Sequence, residues 1–356
     1  MTSNRIQAYR DHFGLTQAEL ADQVAVTRQT IAAWERGDRS PSLVQLTRIS
    51  RVLGVPVDLL IGPDEAQQEP ALLFRADKPR VLSADARSFL SRLAQDYAAI
   101  ERLVGEIPSL PESRPIEGYD FFSIERIANE IRDWLGVEDA PLGDVLTLLE
   151  GKGLKIIKHH LPGSISGFSA YTQSWGGVIF VNAEHPPERQ YFTAMHELAH
   201  LVFHRQEYDR PFERSRRGDP REKAANHFAG AMLLPRTAIE QELHGYQKRW
   251  LPEPLLVDIK KRYGVSVRTV LVRARDLELI TKTQCGQQLG MLLKQYGAEG
   301  EPGELQEPNT LARLERLVFT ALVQERITTS RAAEVLHRPL MEVRTELGRW
   351  LDGAAA

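Results

Sequence analysis

The sequence predicts a multidomain chain: an all-α helix-turn-helix bundle, then an α+β core with a small β-sheet, then an all-α C-terminal region. Three observations lead there. At about 100–200 residues per domain, 356 residues make two or three domains. Residues 1–62 run as short helical patterns parted by tight breaks, whereas 116–245 mix helical periods with strand-like apolar runs. Residues 246–356 return to helical periodicity, interrupted by Gly and Pro around 297–308.

Composition narrows the function classes. Lys and Arg number 45 against 48 Asp and Glu, a net charge of −3, so any nucleic-acid face must be local. The single Cys285 excludes an intramolecular disulfide framework and any Cys-rich zinc module. No apolar run reaches the ~18–20 residues of a membrane span, and no basic-then-apolar leader opens the chain. A cytoplasmic protein with no membrane partner is expected.

The first element pair has a physical logic. Thr16 caps a helix with Leu20, Ala21 and Val24 inward, and Glu19 completes a capping box. Val26 and Thr27 make the turn, and Thr27 caps the next helix. Ile31 and Trp34 bury that helix, leaving Arg28, Gln29, Thr30 and Ala33 outward, and Gly37 stands where a left-handed cap belongs. Two short helices at a tight turn match major-groove docking, and Arg and Gln suit guanine and adenine edges. Residues 27–51 hold five arginines against Glu35 and Asp38, enough for phosphate contacts. A bundle used only for protein contacts is the competing reading. "LTQAELA" with "VTRQTIAAWERG" resembles the Cro/phage-repressor-like (XRE) helix-turn-helix over residues 2–62. The resemblance implies DNA contacts by Gln17 and Gln29, an Arg10–Glu35 ion pair, a double-stranded DNA operator and a homodimer.

Residues 63–115 read as a linker, punctuated by Pro63, Pro70, Pro79, Pro108, Pro111 and Pro115. It holds one amphipathic helix, Ala84 to Val104, with Phe89, Leu90, Leu93, Tyr97, Ile100 and Leu103 on its apolar side. That side suits a spacer packed on a neighbouring domain, in preference to a dimer seam.

In 116–245, helices are expected at Ser123–Leu135 and Leu142–Glu150, and strands at Leu154–His159, Phe168–Thr172 and Val178–Asn182. Helices Glu188–His204 and Pro220–Leu234 follow, the second ended by Pro235. "RQYFTAMHELAHLVFH" is apolar nearly all round, so it should be buried, yet it carries His196, Glu197 and His200, costly to bury without partners. His196 and His200, at i and i+4, can point at one metal ion. Glu197 is turned about 100° round the helix and can address a water activated there. A third ligand is needed, and Glu222, 22 residues after His200, is the best candidate; its competing role is the N3 glutamate of a capping box under Asp219. Asn226 can hydrogen-bond the other ring nitrogen of a ligand histidine. His204 reads as a helix-end residue and His227 as structural or exposed. His159 and His160 point to opposite faces of a strand, and His185 has no evident role.

"MHELAHLVFH" and "REKAANHFAGAMLLP" together resemble the ImmA/IrrE metallopeptidases, which are similar to gluzincins, over about 118–245; "VSVRTVLVRARDLELI" (265–280) extends the likeness. The resemblance implies one zinc ion held by His196, His200 and Glu222, with Glu197 as general base, although such ligands also admit manganese or iron. It implies hydrolysis of a peptide bond in a repressor-type partner or in the chain itself, at the 61–81 linker, within stress, mobile-element or toxin–antitoxin regulation. The alternative is a regulator or antitoxin whose peptidase fold senses a ligand or binds a partner without turnover. Tyr171 is the candidate oxyanion stabiliser, and Val178–Asn182 the candidate edge strand for an extended substrate. Residues 246–290 read as a helical extension. Residues 291–356 read as an interaction domain, in which 327–351 form helix, turn and helix with Ala332, Ala333, Val335 and Leu336 inward. There Glu334, Glu342 and Glu346 dilute Arg331, Arg338, Arg344 and Arg349.

Overall fold

A computed structural model describes residues 3–12, 15–53, 57, 60, 82–107, 109–208, 218–298 and 300–353. The candidate self-cleavage stretch 61–81 lies outside the described residues. The N-terminal helices are α1 (Ser3–His12), α2 (Gln17–Val24), α3 (Arg28–Arg36) and α4 (Leu43–Leu53). Thr16 accepts from Glu19 N while the Glu19 carboxylate accepts from Thr16 N, the reciprocal capping box the sequence predicts. Ala25 ends α2 in the left-handed region, Thr27 caps α3, and Gly37 ends it at φ 81°. Leu20, Ala21, Val24, Ile31 and Trp34 form one core with Ile6, Leu46 and Ile49.

Helix α5 (Ala84–Val104) has the boundaries the sequence predicts and a larger role. Its Leu90, Ala94 and Ala98 cover one face of the sheet, against Phe168, Ala170, Val178 and Phe180. Its Tyr97 and Ile100 pack on C-terminal helices. Arg87 ties it to the N-terminal bundle by donating to Leu53 O at 3.0 Å. Leu90, Tyr97 and Ile100 of the apolar side are therefore spent within the chain.

The central elements are α6 (Phe121–Leu135), α7 (Val145–Gly151), β1 (Lys155–His159), β2 (Gly167–Thr172), β3 (Gly176–Asn182), α8 (Pro187–Phe203), α9 (Pro220–Leu233) and α10 (Arg236–Glu242). Helix α6 starts two residues before the expected Ser123 because Asp120 caps it through Ser123 N. Helix α7 starts at Val145, not Leu142, because Asp144 caps it through Leu146 N and Thr147 N. The sheet order is β1-β3-β2, with β1 parallel and β2 antiparallel to β3. Strand β3 is thus central, which overturns the expectation that Val178–Asn182 forms an edge; among the described residues the edges are β1 and β2. Helix α8 packs on the face opposite α5, where Ile156, Ile179 and Val181 meet Ala194 and Leu198. Sheet and helix periodicities account for the layering, since alternate strand residues serve α5 and α8.

Helices α11 (Glu253–Tyr263), α12 (Val267–Asp276) and α13 (Lys282–Tyr296) join the same core through Ile259, Val270, Leu271 and Cys285. Helices α14 (Arg313–Val323), α15 (Thr329–Leu336) and α16 (Leu340–Gly353) close on α5, with Ala332 and Val335 inward as expected.

Candidate metal centre and DNA-reading helix

Helix α8 is buried along most of its length, with Pro187 in its first turn and only the His196 side of the motif reaching the surface. His196 and His200 lie one turn apart, their Nε2 atoms 3.0 Å from each other. Helix α9 packs across α8 and brings the third group. Its N-cap Asp219 accepts from Arg221 N at 2.9 Å and is gripped by the Arg221 guanidinium, so no capping box engages Glu222. The Glu222 carboxylate instead places Oε2 3.2 Å from His196 Nε2 and Oε1 3.5 Å from His200 Nε2. Burial alone would raise its pKa, but its hydrogen bonds to His196 and His200 hold it far below the usual carboxylate range.

These separations fit a metal ion. Zinc bonds of about 2.0–2.2 Å at tetrahedral angles put ligand atoms about 3.3–3.6 Å apart, close to the 3.0, 3.2 and 3.5 Å found. Asn226 stands where the sequence suggests: its Oδ1 is 3.0 Å from His196 Nδ1. A proton on Nδ1, donated to this oxygen, leaves the lone pair on Nε2, the nitrogen that faces Glu222. His204 caps the end of α8, as expected of a helix-end residue, and also sets its Nδ1 3.2 Å from His200 Nδ1.

Glu197 points round the helix to β2, where Ser169 Oγ donates to its Oε2 at 2.5 Å. Beside it lies a cavity of about 210 Å³ lined by Ser166, Gly167, Arg189, Thr193, His196 and Asn226 among others. Gly167 is required there, for a Cβ would fall 2.4 Å from Phe180 O and 2.5 Å from Thr193 Cγ2. Tyr171, on the same strand face as Ser169, sets its ring 6.3 Å from that of Tyr208, with the Arg205 guanidinium over it at 5.4 Å.

In the N-terminal module, Arg28 and Gln29 are exposed at the start of α3, and Thr30 and Ala33 are half-buried. Thr30 Oγ1 is 2.9 Å from Thr27 Oγ1, so its hydroxyl already has a local partner. The implied ion pair is present: Arg10 Nε donates to Glu35 Oε1 at 2.5 Å. Gln17 Nε2 donates to Glu35 Oε2 at 2.8 Å, which anchors that amide on the pair and leaves its carbonyl oxygen outside that bond.

Comparison with known proteins decides the family. The helix-turn-helix family model matches residues 6–60. A model described as the IrrE N-terminal-like domain, of a peptidase family, matches residues 149–275. An uncharacterized HTH-type transcriptional regulator of Methanothermobacter thermautotrophicus is 57% identical over 49 residues, 14% of this chain and 71% of that protein. Another, of Archaeoglobus fulgidus, is 44% identical over 62 residues, 17% and 89% of the two chains. The chain belongs to the helix-turn-helix transcriptional regulators. A solved Mycobacterium tuberculosis transcriptional regulator is 19% identical with a TM-score of 0.33 over 51% of each chain, too weak a likeness to carry an argument.

This regulator joins its helix-turn-helix to an IrrE-like peptidase-family domain. Sequence reasoning missed Ser169 and Tyr208, whose hydroxyls lie 2.7 Å apart behind Glu197. The one available signal was strand parity, which puts Ser169 on the face of Gly167 and Tyr171. His227 is structural: it is buried between Tyr119 OH at 3.0 Å and Glu125 Oε1 at 2.6 Å, with Arg273 also on Glu125. His159 sits by Phe89 and His337, and His160 pairs with Glu184, so neither reaches the metal cluster. His185 is buried, its carbonyl accepting from Gln190.

Proposed function

We propose that the protein is a DNA-binding transcriptional regulator whose zinc-dependent metallopeptidase domain hydrolyses a peptide bond in a repressor-type partner or in itself. The observation that carries the enzymatic half is the convergence of His196, His200 and Glu222 at metal-ligand separations, with Glu197 turned to the adjoining cavity. His196 and His200 through Nε2, with a Glu222 oxygen, would hold the ion. Bound zinc would supply Lewis-acid polarisation of the scissile carbonyl and make an attacking water acidic.

The chain's own residues do the rest. Glu197 takes the proton of the attacking water and passes it to the leaving amine nitrogen. Ser169 holds the Glu197 carboxylate in place, and Asn226 orients the His196 ring. An extended substrate adds to the outer edge of β2, beside Gly167, since β3 is covered on both sides. The DNA-reading half rests on exposed Arg28 and Gln29 at the start of α3, with Gln17, Thr30 and Ala33 beside them, in a homodimer on a two-fold operator.

Metal content per chain tests the first half, on wild type and His200→Ala purified without chelator. About one zinc in wild type, lost in the variant, is expected; no metal in either overturns the zinc assignment. Full proteolysis by Glu197→Gln would remove Glu197 as the base. For DNA, Arg28→Ala should weaken operator binding by about 1–3 kcal/mol; unchanged binding in a gel-shift titration counts against this face.

A further inference from the structure

Past Glu222 the metal cluster opens into a second, larger groove of about 920 Å³ between α9, α12 and α13. Phe192 and Asn226 line both this groove and the cavity beside Glu197, so the two adjoin at the ligand cluster. Its walls offer apolar surface from Phe121, Val272 and Leu289. Its charges do not balance. Lys223 Nζ stands 3.7 Å over the Tyr119 ring. The Arg268 guanidinium is anchored by the carbonyls of Gly297 at 2.7 Å and Gly300 at 3.0 Å, which fix its position without cancelling its charge. Lys282 is exposed in the first turn of α13, where a cation opposes the helix dipole, so helix stability does not account for it.

None of these three cations has a carboxylate partner among the described residues, whereas the neighbouring acids are engaged. Asp219 pairs with Arg221 at 2.9 Å, Asp276 with Arg275 at 2.6 Å, and Glu125 with Arg273 and His227. Opposite charge on a ligand is the missing complement.

We propose that this groove seats the part of the substrate that flanks the scissile bond, and that it selects segments carrying carboxylate side chains beside large apolar ones. The proposal rests on the peptidase reading and names its substrate class. Apolar side chains cover Val272 and Leu289, while carboxylates reach Lys223, Arg268 and Lys282. Gly286 of α13 keeps the groove open: a Cβ there meets nothing within 4 Å, so a large side chain would enter the groove without disturbing the helix.

The experiment uses the full chain carrying Glu197→Gln and loaded with zinc, so that peptide is bound and not consumed. Two fluorescein-labelled amidated peptides of about ten residues share a Phe-Leu centre, flanked by glutamates in one and lysines in the other. Fluorescence anisotropy should show the glutamate peptide bound at least about tenfold more tightly, with the preference shrinking as salt rises. Adding Lys223→Glu and Lys282→Glu should abolish the preference, and Gly286→Trp should weaken binding of the glutamate peptide about tenfold. Equal affinity for the two peptides, no binding of either, or binding indifferent to these substitutions overturns the proposal. Zinc content of the same preparations is read separately, so a chain that holds zinc and ignores charge refutes the groove alone, and one that holds no zinc refutes the metal reading.

Discussion

Ser169 Oγ lies 2.5 Å from Oε2 of Glu197 and 2.7 Å from the hydroxyl of Tyr208, so the motif glutamate is held from behind by the sheet. A hydrogen bond to a charged group contributes about 1.5–3 kcal/mol. Ser169→Ala should therefore lower turnover of any peptide that the wild-type chain cleaves by about tenfold or more, with zinc content unchanged. Tyr208→Phe, one bond further out, should have a smaller effect in the same assay. Loss of zinc in Ser169→Ala would show instead that the contact is needed to assemble the ligand cluster.

Asn226 and His204 each face the Nδ1 nitrogen of one histidine of the cluster, at 3.0 and 3.2 Å. Partners of this kind fix ring orientation and tautomer, and losing one typically costs about 10–100-fold in metal affinity. Asn226→Ala should weaken zinc binding by about that factor in a competition titration against a chelator dye. Asn226→Asp, which keeps the acceptor, should retain most of the affinity. Equal affinity in Asn226→Ala and wild type would remove Asn226 from the metal site.

What was legible in the sequence is what depends on local spacing. The Thr16–Glu19 box, the Thr27 cap, the α5 boundaries and the spacing of His196 and His200 follow from offsets of one helical turn or from capping chemistry, whereas the meeting of Glu222 with the two histidines depends on how α9 packs across α8. Strand order did not follow, because β3 reads as a continuous apolar run whether it is central or at an edge. The partnership of Ser169 with Glu197 joins residues 28 apart through a register that nothing in either segment encodes. Helix α5 had the same limit. Its apolar side was visible, but its neighbours come from β2, β3 and α14, and only assembly reveals that it divides two cores.

Glu101 of α5 shows how that assembly is held. Its side chain is fully buried and meets Lys155 Nζ of β1 at 2.8 Å and the guanidinium of Arg313 at the start of α14. Burial pushes the Lys155 pKa down, with Glu101 working against that shift. Removing one member of a buried ion cluster leaves the others uncompensated, at a cost of about 3–5 kcal/mol. Glu101→Leu should lose stability of that order in urea unfolding, and adding Lys155→Met should recover part of it. Additive losses in the double variant would show that the two side chains do not share an interaction.

Glu125 gives the acid limit of the core. Burial alone would raise its pKa, but Arg273 and His227 outweigh it and bring the group from 4.5 down to about 2. A carboxyl whose folded pKa is depressed contributes stability that is complete above its unfolded value and is lost as pH falls through the folded one. The contribution of Glu125 should therefore disappear between pH 4.5 and about 2. Glu125→Gln should lower Tm near neutrality, where Arg273 loses its counter-charge, yet its Tm should fall less steeply than that of wild type through this acid window. Thermal melts at a series of pH values check both parts. Parallel Tm curves for the two proteins would place the acid sensitivity in other carboxylates.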